Sequence, residues 1–325
     1  MVNDANSGAA GQTPRSLWPH RLALITAGAT IMLIFVGGLV TNTGSGLAVP
    51  DWPTTFGQNM FLFPWSQMIG GILYEHTHRL IGSVVGILTV ALSVALWMRE
   101  PRRWVRVLGV VAVGLVIMQG VLGGLRVVLV EHGLAIVHAC VAQAFLALVV
   151  SLAAVTGPSW DALADGATPP TDGATRTLAW LVMPLIYLQL VFGALLTHNA
   201  TRLDAHLLDA AAIAITVVLL ASRVLQAPAD SEVLRRPARL LVALVLVQLG
   251  LGLGAYLWRF TELSVSLPFE CGLAVLVIHR LTGTGIWATA VVLALRVLGR
   301  HRVWPTIGAE RAVEPTLAAG PEVLA

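Results

Sequence analysis

Eight apolar stretches of about 20 residues each, bounded by arginine or by Pro/Gly clusters, decide what this chain can become. They lie near residues 21–41, 71–98, 105–130, 133–156, 177–197, 205–222, 239–259 and 270–297. A helix needs about 20 residues to cross hydrocarbon, so the eight runs occupy roughly half of the 325 positions and leave room for short loops and two modest tails. No soluble domain of ordinary size fits in the remainder. Only 11% of the residues are charged, against about 25% in a typical soluble domain. The sequence therefore predicts an all-α, polytopic membrane protein in contact with lipid. No basic face interleaved with aromatics suggests nucleic acid binding. The first apolar run has no small-residue cleavage site after it, so it reads as a retained span rather than a signal peptide.

The basic residues number 20 and all are arginine. Fifteen of them, from Arg15 to Arg311, fall in the tails and in the connections after even-numbered spans. The connections after odd-numbered spans (42–70, a tight turn at Glu131 and His132, 199–204 and 260–269) hold or adjoin only Arg126, Arg202 and Arg259. The positive-inside bias then places both termini in the cytoplasm and the long first loop outside. A linker rich in Pro, Asp, Gly and Thr divides the chain. This gives an amino-terminal tail (1–20), a first four-helix half (21–156), the linker (157–176), a second four-helix half (177–297) and a carboxy-terminal tail (298–325).

The halves look like copies. Gly37-Gly38-Leu39-Val40-Thr41 in the first span matches Gly193-Ala194-Leu195-Leu196-Thr197 in the fifth, and His78-Arg79-Leu80-Ile81-Gly82 matches His279-Arg280-Leu281-Thr282-Gly283. A Gln-x-x-x-Gly pattern recurs at Gln119/Gly123, Gln189/Gly193 and Gln248/Gly252. Small residues let helices approach closely, and a glutamine can hydrogen-bond across the contact. An internal duplication of a four-helix bundle follows.

Of nine histidines, four lie near the outer ends of the four even spans: His78, His138, His206 and His279. Ligating groups inside a span are rare and mark function. Two imidazoles facing each other across a bundle can ligate a heme iron axially, and His78 with His138 and His206 with His279 are the natural couples. Hydrogen bonding of single rings to neighbouring helices is the competing explanation. Zinc fits less well, because His76 and His78 point about 200° apart on a helix and no H-E-x-x-H order occurs. Glu75 shares a face with His78 and must project into a polar or ligand-filled space; it either orients a neighbour or does acid/base work. Arg79 and Arg280 directly follow two of the imidazoles and could pair with porphyrin carboxylates or snorkel to the interface. His20, His132, His198 and His301 carry no assigned chemistry. The first loop, with Gly44 to Pro53 dense in turn formers, is a plain connection or a lid over the first cavity. Cys140 packs as a small apolar residue and Cys271 is the exposed thiol candidate.

Taken together, Thr43-Gly44-Ser45-Gly46-Leu47, Pro50-Asp51-Trp52-Pro53, Glu75-His76-Thr77-His78-Arg79 and Ile278-His279-Arg280 resemble the heme A synthase family. That resemblance implies two four-helix bundles related by a pseudo-twofold axis, in the bacterial cytoplasmic (inner) membrane. It implies that His78 and His138 flank the substrate heme O in the first half, with Glu75 as the acidic residue beside it. His206 and His279 would be axial ligands of a resident heme b in the second half. The implied reaction oxidises a ring methyl of heme O by successive hydroxylations to the formyl of heme A, with heme O synthase and cytochrome oxidase assembly proteins as possible partners. One departure matters: many bacterial relatives carry a cysteine pair in the first outer loop, where this chain has Val49 and Thr55. Two other readings stay open at this level, a bis-His b-type cytochrome that only transfers electrons and a transporter or assembly factor without heme.

Overall fold

The computed structural model describes residues 16–160, 171–226 and 232–299. Most of the tail 1–20, the middle of the linker 157–176 and nearly all of the tail 298–325 lie outside the described residues. Among the described residues, eight helices are long and apolar enough to cross a membrane. They are α1 (Trp18–Asn42), α2 (Gly71–Arg99), α3 (Arg103–Leu129), α4 (His132–Thr156), α5 (Gly173–Asn199), α6 (Leu203–Gln226), α7 (Glu232–Phe260) and α8 (Phe269–Leu298). Each covers one expected run, and several reach further. α7 starts at Glu232 rather than near 239, because Glu232 pairs with Arg236 and Arg239 at 3.4 and 2.8 Å and extends the helix past the apolar segment. α5 likewise begins early, where the Asp172 carboxylate caps it by accepting the Thr175 N–H at 2.7 Å.

Each half closes into a ring: α1 packs on α2, α2 on α3, α3 on α4 and α4 on α1, and α5 to α8 repeat the sequence of contacts. The halves meet where α1 and α4 face α8 and where α4 also faces α5. Exchanging α1 with α5 and α4 with α8 maps this contact pattern onto itself, an arrangement compatible with the pseudo-twofold relation. Large apolar side chains such as Ile87, Ile117, Trp180, Leu208 and Leu246 point outward from the bundle, as lipid-facing surface does.

The core is unevenly distributed. Eight fully buried leucines (92, 96, 146, 152, 220, 234, 241 and 293) all sit toward the arginine-rich ends of their helices. Polar straps tighten that end: Arg102, paired with buried Glu100, donates to the Val155 carbonyl at 2.7 Å, His20 Nδ1 lies 2.9 Å from the Ala153 carbonyl, and Arg296 donates to Val233. The bundle is therefore locked at one end, and the opposite end is built from glycine, glutamine and histidine.

At the meeting of the halves, the Gln143 amide donates to Thr284 Oγ1 at 3.0 Å, and the Trp287 indole N–H donates to the Gln143 carbonyl at 2.9 Å. The Tyr187 hydroxyl donates to the Cys140 carbonyl at 3.2 Å, and its ring lies 5.7 Å from that of Trp287. Gln143 follows His138 by five residues and Thr284 follows His279 by five, so the hydrogen bond joins corresponding positions of the two halves. Thr284→Val removes the acceptor of a buried amide. It should lower stability in detergent by about 1 kcal/mol, read as a drop in the midpoint of unfolding. An unchanged midpoint would show that this bond does not hold the halves together.

Candidate functional site

Every one of the four even-helix imidazoles rests on a glycine of the preceding helix. A methyl group built on Gly37 would meet His78 Cε1 at 3.0 Å, one on Gly123 would meet His138 at 3.5 Å, one on Gly193 His206 at 3.5 Å and one on Gly252 His279 at 3.3 Å. The backbone carbonyl one turn before each glycine, at Leu33, Gln119, Gln189 and Gln248, faces the corresponding ring. The Nδ1 atoms of all four are buried without a hydrogen bond of regular geometry among the described residues. An imidazole that turns Nδ1–H to a carbonyl leaves Nε2 as the ligating nitrogen.

The rings come in the expected couples. His78 and His138 have centroids 6.5 Å apart with planes at 70°, and His206 and His279 repeat the 6.5 Å separation at 61°. Two metal–nitrogen bonds of about 2 Å, with about 1.1 Å more from nitrogen to ring centre on each side, add to roughly 6.2 Å. Both couples thus have the spacing of two imidazoles sharing one metal. Among the described residues no three His, Cys, Asp or Glu converge. A two-imidazole donor set leaves the other positions of an octahedral ion to a macrocycle, which is what axial ligation of a heme requires.

The couples differ in their surroundings. In the second half, the Gln189 and Gln248 amides lie 3.3 Å from Nε2 of His206 and His279, and a ring with its proton on Nδ1 accepts that bond. In the first half, Gln119 instead donates to the His138 backbone carbonyl, and the position corresponding to the other glutamine is Leu33. Asp209, three residues after His206, is buried with Oδ2 unbonded among the described residues. The glutamine and glycine positions were visible as the Gln-x-x-x-Gly repeat, but nothing in the repeat indicated that they meet the imidazoles.

Over the first couple lies the loop between α1 and α2, and Glu75 and Arg79 tie it down. Glu75 is 4% exposed. Its Oε2 accepts the Val49 N–H at 2.9 Å, and its Oε1 pairs with Arg79 Nη2 at 2.8 Å. Arg79 also donates to the Asp51, Thr54 and Val49 carbonyls at 2.7, 3.0 and 3.1 Å. All four terminal N–H groups of Arg79 are thus engaged by the loop and Glu75. The side chain neither snorkels nor offers its fork to a ligand. Val49 and Thr55, standing where a cysteine pair was sought, are fully buried in this latch. Thr55 Oγ1 lies 3.1 Å from His76 Nδ1, and Phe63 covers the His76 ring at 5.2 Å. His76 therefore faces the loop while His78 faces His138, as the helical spacing required. Trp52 lies flat on Gly124 of α3, where a methyl group would fall 2.3 Å from the indole. The lid reading is the one the geometry supports.

Arg126, from the end of α3, lies against Gly46 of the lid, where a methyl group would fall 2.3 Å from Nη2. Its charge acts on Glu75, His78 and His138. In the second half, Arg259 donates to the Leu196 and Thr197 carbonyls at 3.5 and 3.3 Å. Arg280 packs its stem near Gly38, and its guanidinium makes no hydrogen bond or ion pair among the described residues. Cys140 is half-buried and Cys271 exposed, and neither is part of the site.

Comparison with known proteins adds a family to this geometry. The model of the cytochrome oxidase assembly protein family matches residues 20–208, more than half of the chain. Among relatives, a heme A synthase of Shouchella clausii is 36% identical over 110 residues, 33% of this chain and 35% of that protein. One of Alkalihalophilus pseudofirmus is 29% identical over 187 residues, 56% and 60% of the two chains, and one of Methylobacterium radiotolerans is 26% identical over 206 residues, 54% and 55%. The matched segments span roughly a third to three fifths of these relatives' lengths. The family match takes in His78, His138 and His206 and stops before His279.

The lid carries a pH dependence of its own. Burial pushes the Asp51 carboxyl up, but the Gly57 N–H, the Thr54 hydroxyl and the Phe56 N–H outweigh it and hold the group below its ordinary 3.8. A carboxylate with a depressed folded pKa contributes stability above its unfolded value and loses it as pH falls through the folded one. Amide exchange at Phe56 and Gly57, corrected for intrinsic rates, should stay slow down to about pH 4 and accelerate below it. Asp51→Ala should exchange fast throughout, and equal protection in wild type and variant would refute the role of this carboxylate.

Proposed function

The chain belongs to the cytochrome oxidase assembly protein family, the family of the heme A synthases, and from that premise we propose that it is itself a heme A synthase. It would be an oxidoreductase that converts a ring methyl of heme O to the formyl group of heme A by successive hydroxylations, the hydrated formyl then losing water. The observation that carries this reading is the inequality of two equally spaced imidazole couples. Both have the 6.5 Å separation, but only the first lies, among the described residues, beneath a lid latched by a buried carboxylate–guanidinium pair, Glu75 with Arg79. A protein that only relays electrons needs no latched cover over one of its centres. One that also transforms a porphyrin needs a chamber at one of them.

In this reading His78 and His138 hold the substrate heme O. His206 and His279 hold a heme b whose iron, when bound, supplies one-electron transfer. Gln189 and Gln248 stand beside the second couple's Nε2 atoms and would release them to a bound iron, whereas the first couple has no such neighbours. Glu75 supplies fixed negative charge and a proton-accepting oxygen on the face it shares with His78, and Arg79 and the Val49 N–H keep that carboxylate from turning away. The lid keeps bulk water from the reacting methyl. Lid and imidazoles lie at the arginine-poor end, hence on the outer side of the bacterial inner membrane, with both termini cytoplasmic.

Two variants test the assignment. Glu75→Gln keeps the shape of the side chain and should retain the resident heme spectrum but accumulate heme O with no heme A, read by mass analysis of extracted pigment. Full conversion by this variant would remove Glu75 from the reaction. His206→Ala and His279→Ala should each abolish the low-spin spectrum of the resident heme while leaving His78-dependent binding in place. An unchanged spectrum would undo that pair. Extraction of heme b alone from a host that makes heme O would favour the electron-transfer cytochrome, and a colourless protein a transporter.

A further inference from the structure

We infer that Arg126 receives a carboxylate of the porphyrin substrate at the first imidazole couple, taking the part expected from sequence of Arg79. The inference rests on the proposed function and adds to it the residue that recognises the acidic edge of the macrocycle.

Arg79 is excluded by occupancy: its four terminal N–H groups already serve Glu75 and three lid carbonyls. Arg126 has the opposite situation. It is half-buried at the end of a membrane-spanning helix and makes no hydrogen bond or ion pair among the described residues. The carboxylate its charge reaches, Glu75, is held by Arg79. The next nearest in the lid, Asp51, is turned to the Thr54 hydroxyl and the Phe56 and Gly57 amides. The charged groups around the first couple thus leave one guanidinium over, in a setting where an unpaired charge is costly. A ligand that brings its own anion removes that cost.

Position agrees with charge. Arg126 follows Gly123, the seat of His138, by three residues, so both project from one face of α3 with Arg126 a turn nearer the membrane edge. A porphyrin clasped between His78 and His138 with its carboxylates toward that edge would bring them to Arg126. The guanidinium lies against the bare backbone of Gly46, where any side chain would collide with Nη1, Nη2 and Cζ. A planar guanidinium supported on one side keeps its donor edge for a bidentate carboxylate. The second couple has an unengaged guanidinium of its own in Arg280, directly after His279, so each site has a guanidinium without a hydrogen-bonding partner among the described residues. They come from different helices, α3 in the first half and α8 in the second.

The test uses the full chain with its resident heme, titrated with ferric protoporphyrin IX and with its dimethyl ester. Binding at the first couple is taken as the Soret change lost in His78→Ala. Arg126→Gln should weaken the free acid about ten- to hundredfold, the effect of losing one charged hydrogen-bonding partner, and leave the ester's affinity at the wild-type value. Arg126→Lys should recover part of the preference for the acid. Unchanged affinity of Arg126→Gln for the acid overturns the inference. So does an equal loss for acid and ester, which would mark a structural role. A wild-type chain that binds neither porphyrin in a His78-dependent way would instead overturn the proposed function beneath it.

Discussion

An imidazole seated on a glycine of the next helix is the contact on which the rest of this molecule depends. Within hydrocarbon a polar ring is tolerated only where protein surrounds it and satisfies its N–H. A neighbouring helix can bring a backbone carbonyl close enough to do so only if nothing projects from the intervening turn. Gly37, Gly123, Gly193 and Gly252 meet that condition one after another. Because each ring is fixed against a backbone rather than a mobile side chain, the two couples arrive at the same separation although their helices are joined by unlike loops. The densely packed leucines at the other end provide the rigid base from which the helix ends are held.

On this shared frame the halves diverge by small substitutions. Leucine replaces glutamine beside His78, a glutamate stands one turn before it, and the loop that follows α1 is long enough to fold back over the couple. The Glu75–Arg79 pair illustrates how a costly buried ion pair can be sustained, since the other terminal N–H groups of Arg79 and the second oxygen of Glu75 are matched to lid backbone. Its task is architectural: this carboxylate determines where the lid lies.

Much of this was legible in the sequence. Eight spans, the division into halves and the coupling of four histidines follow from hydropathy and from depth, quantities that survive without coordinates. Helix ends were less so: α5 and α7 run past the apolar edge because caps and ion pairs such as Asp172 with Thr175 and Glu232 with Arg239 extend them in the polar layer. Arg79 lies at the expected depth with its terminal N–H groups on the lid and Glu75, because one step along a helix is about 100° of rotation and the lid occupies that side. The site's second guanidinium, Arg126, belongs to a helix whose pattern pointed only to its glycines and glutamine, and its approach to Gly46 depends on how the loop folds back. Long-range contacts of this kind leave no local periodicity to read.

The lid's clasp is made of hydrogen bonds and one ion pair, with Val49 and Thr55 buried in it. Its closure therefore has no thiol to oxidise and no bridge to reduce. A swing in the electron balance of the surrounding compartment would leave the cover in place. Opening it calls instead for several weak contacts to yield together, which makes movement of the cover a matter of breathing frequency rather than of covalent state.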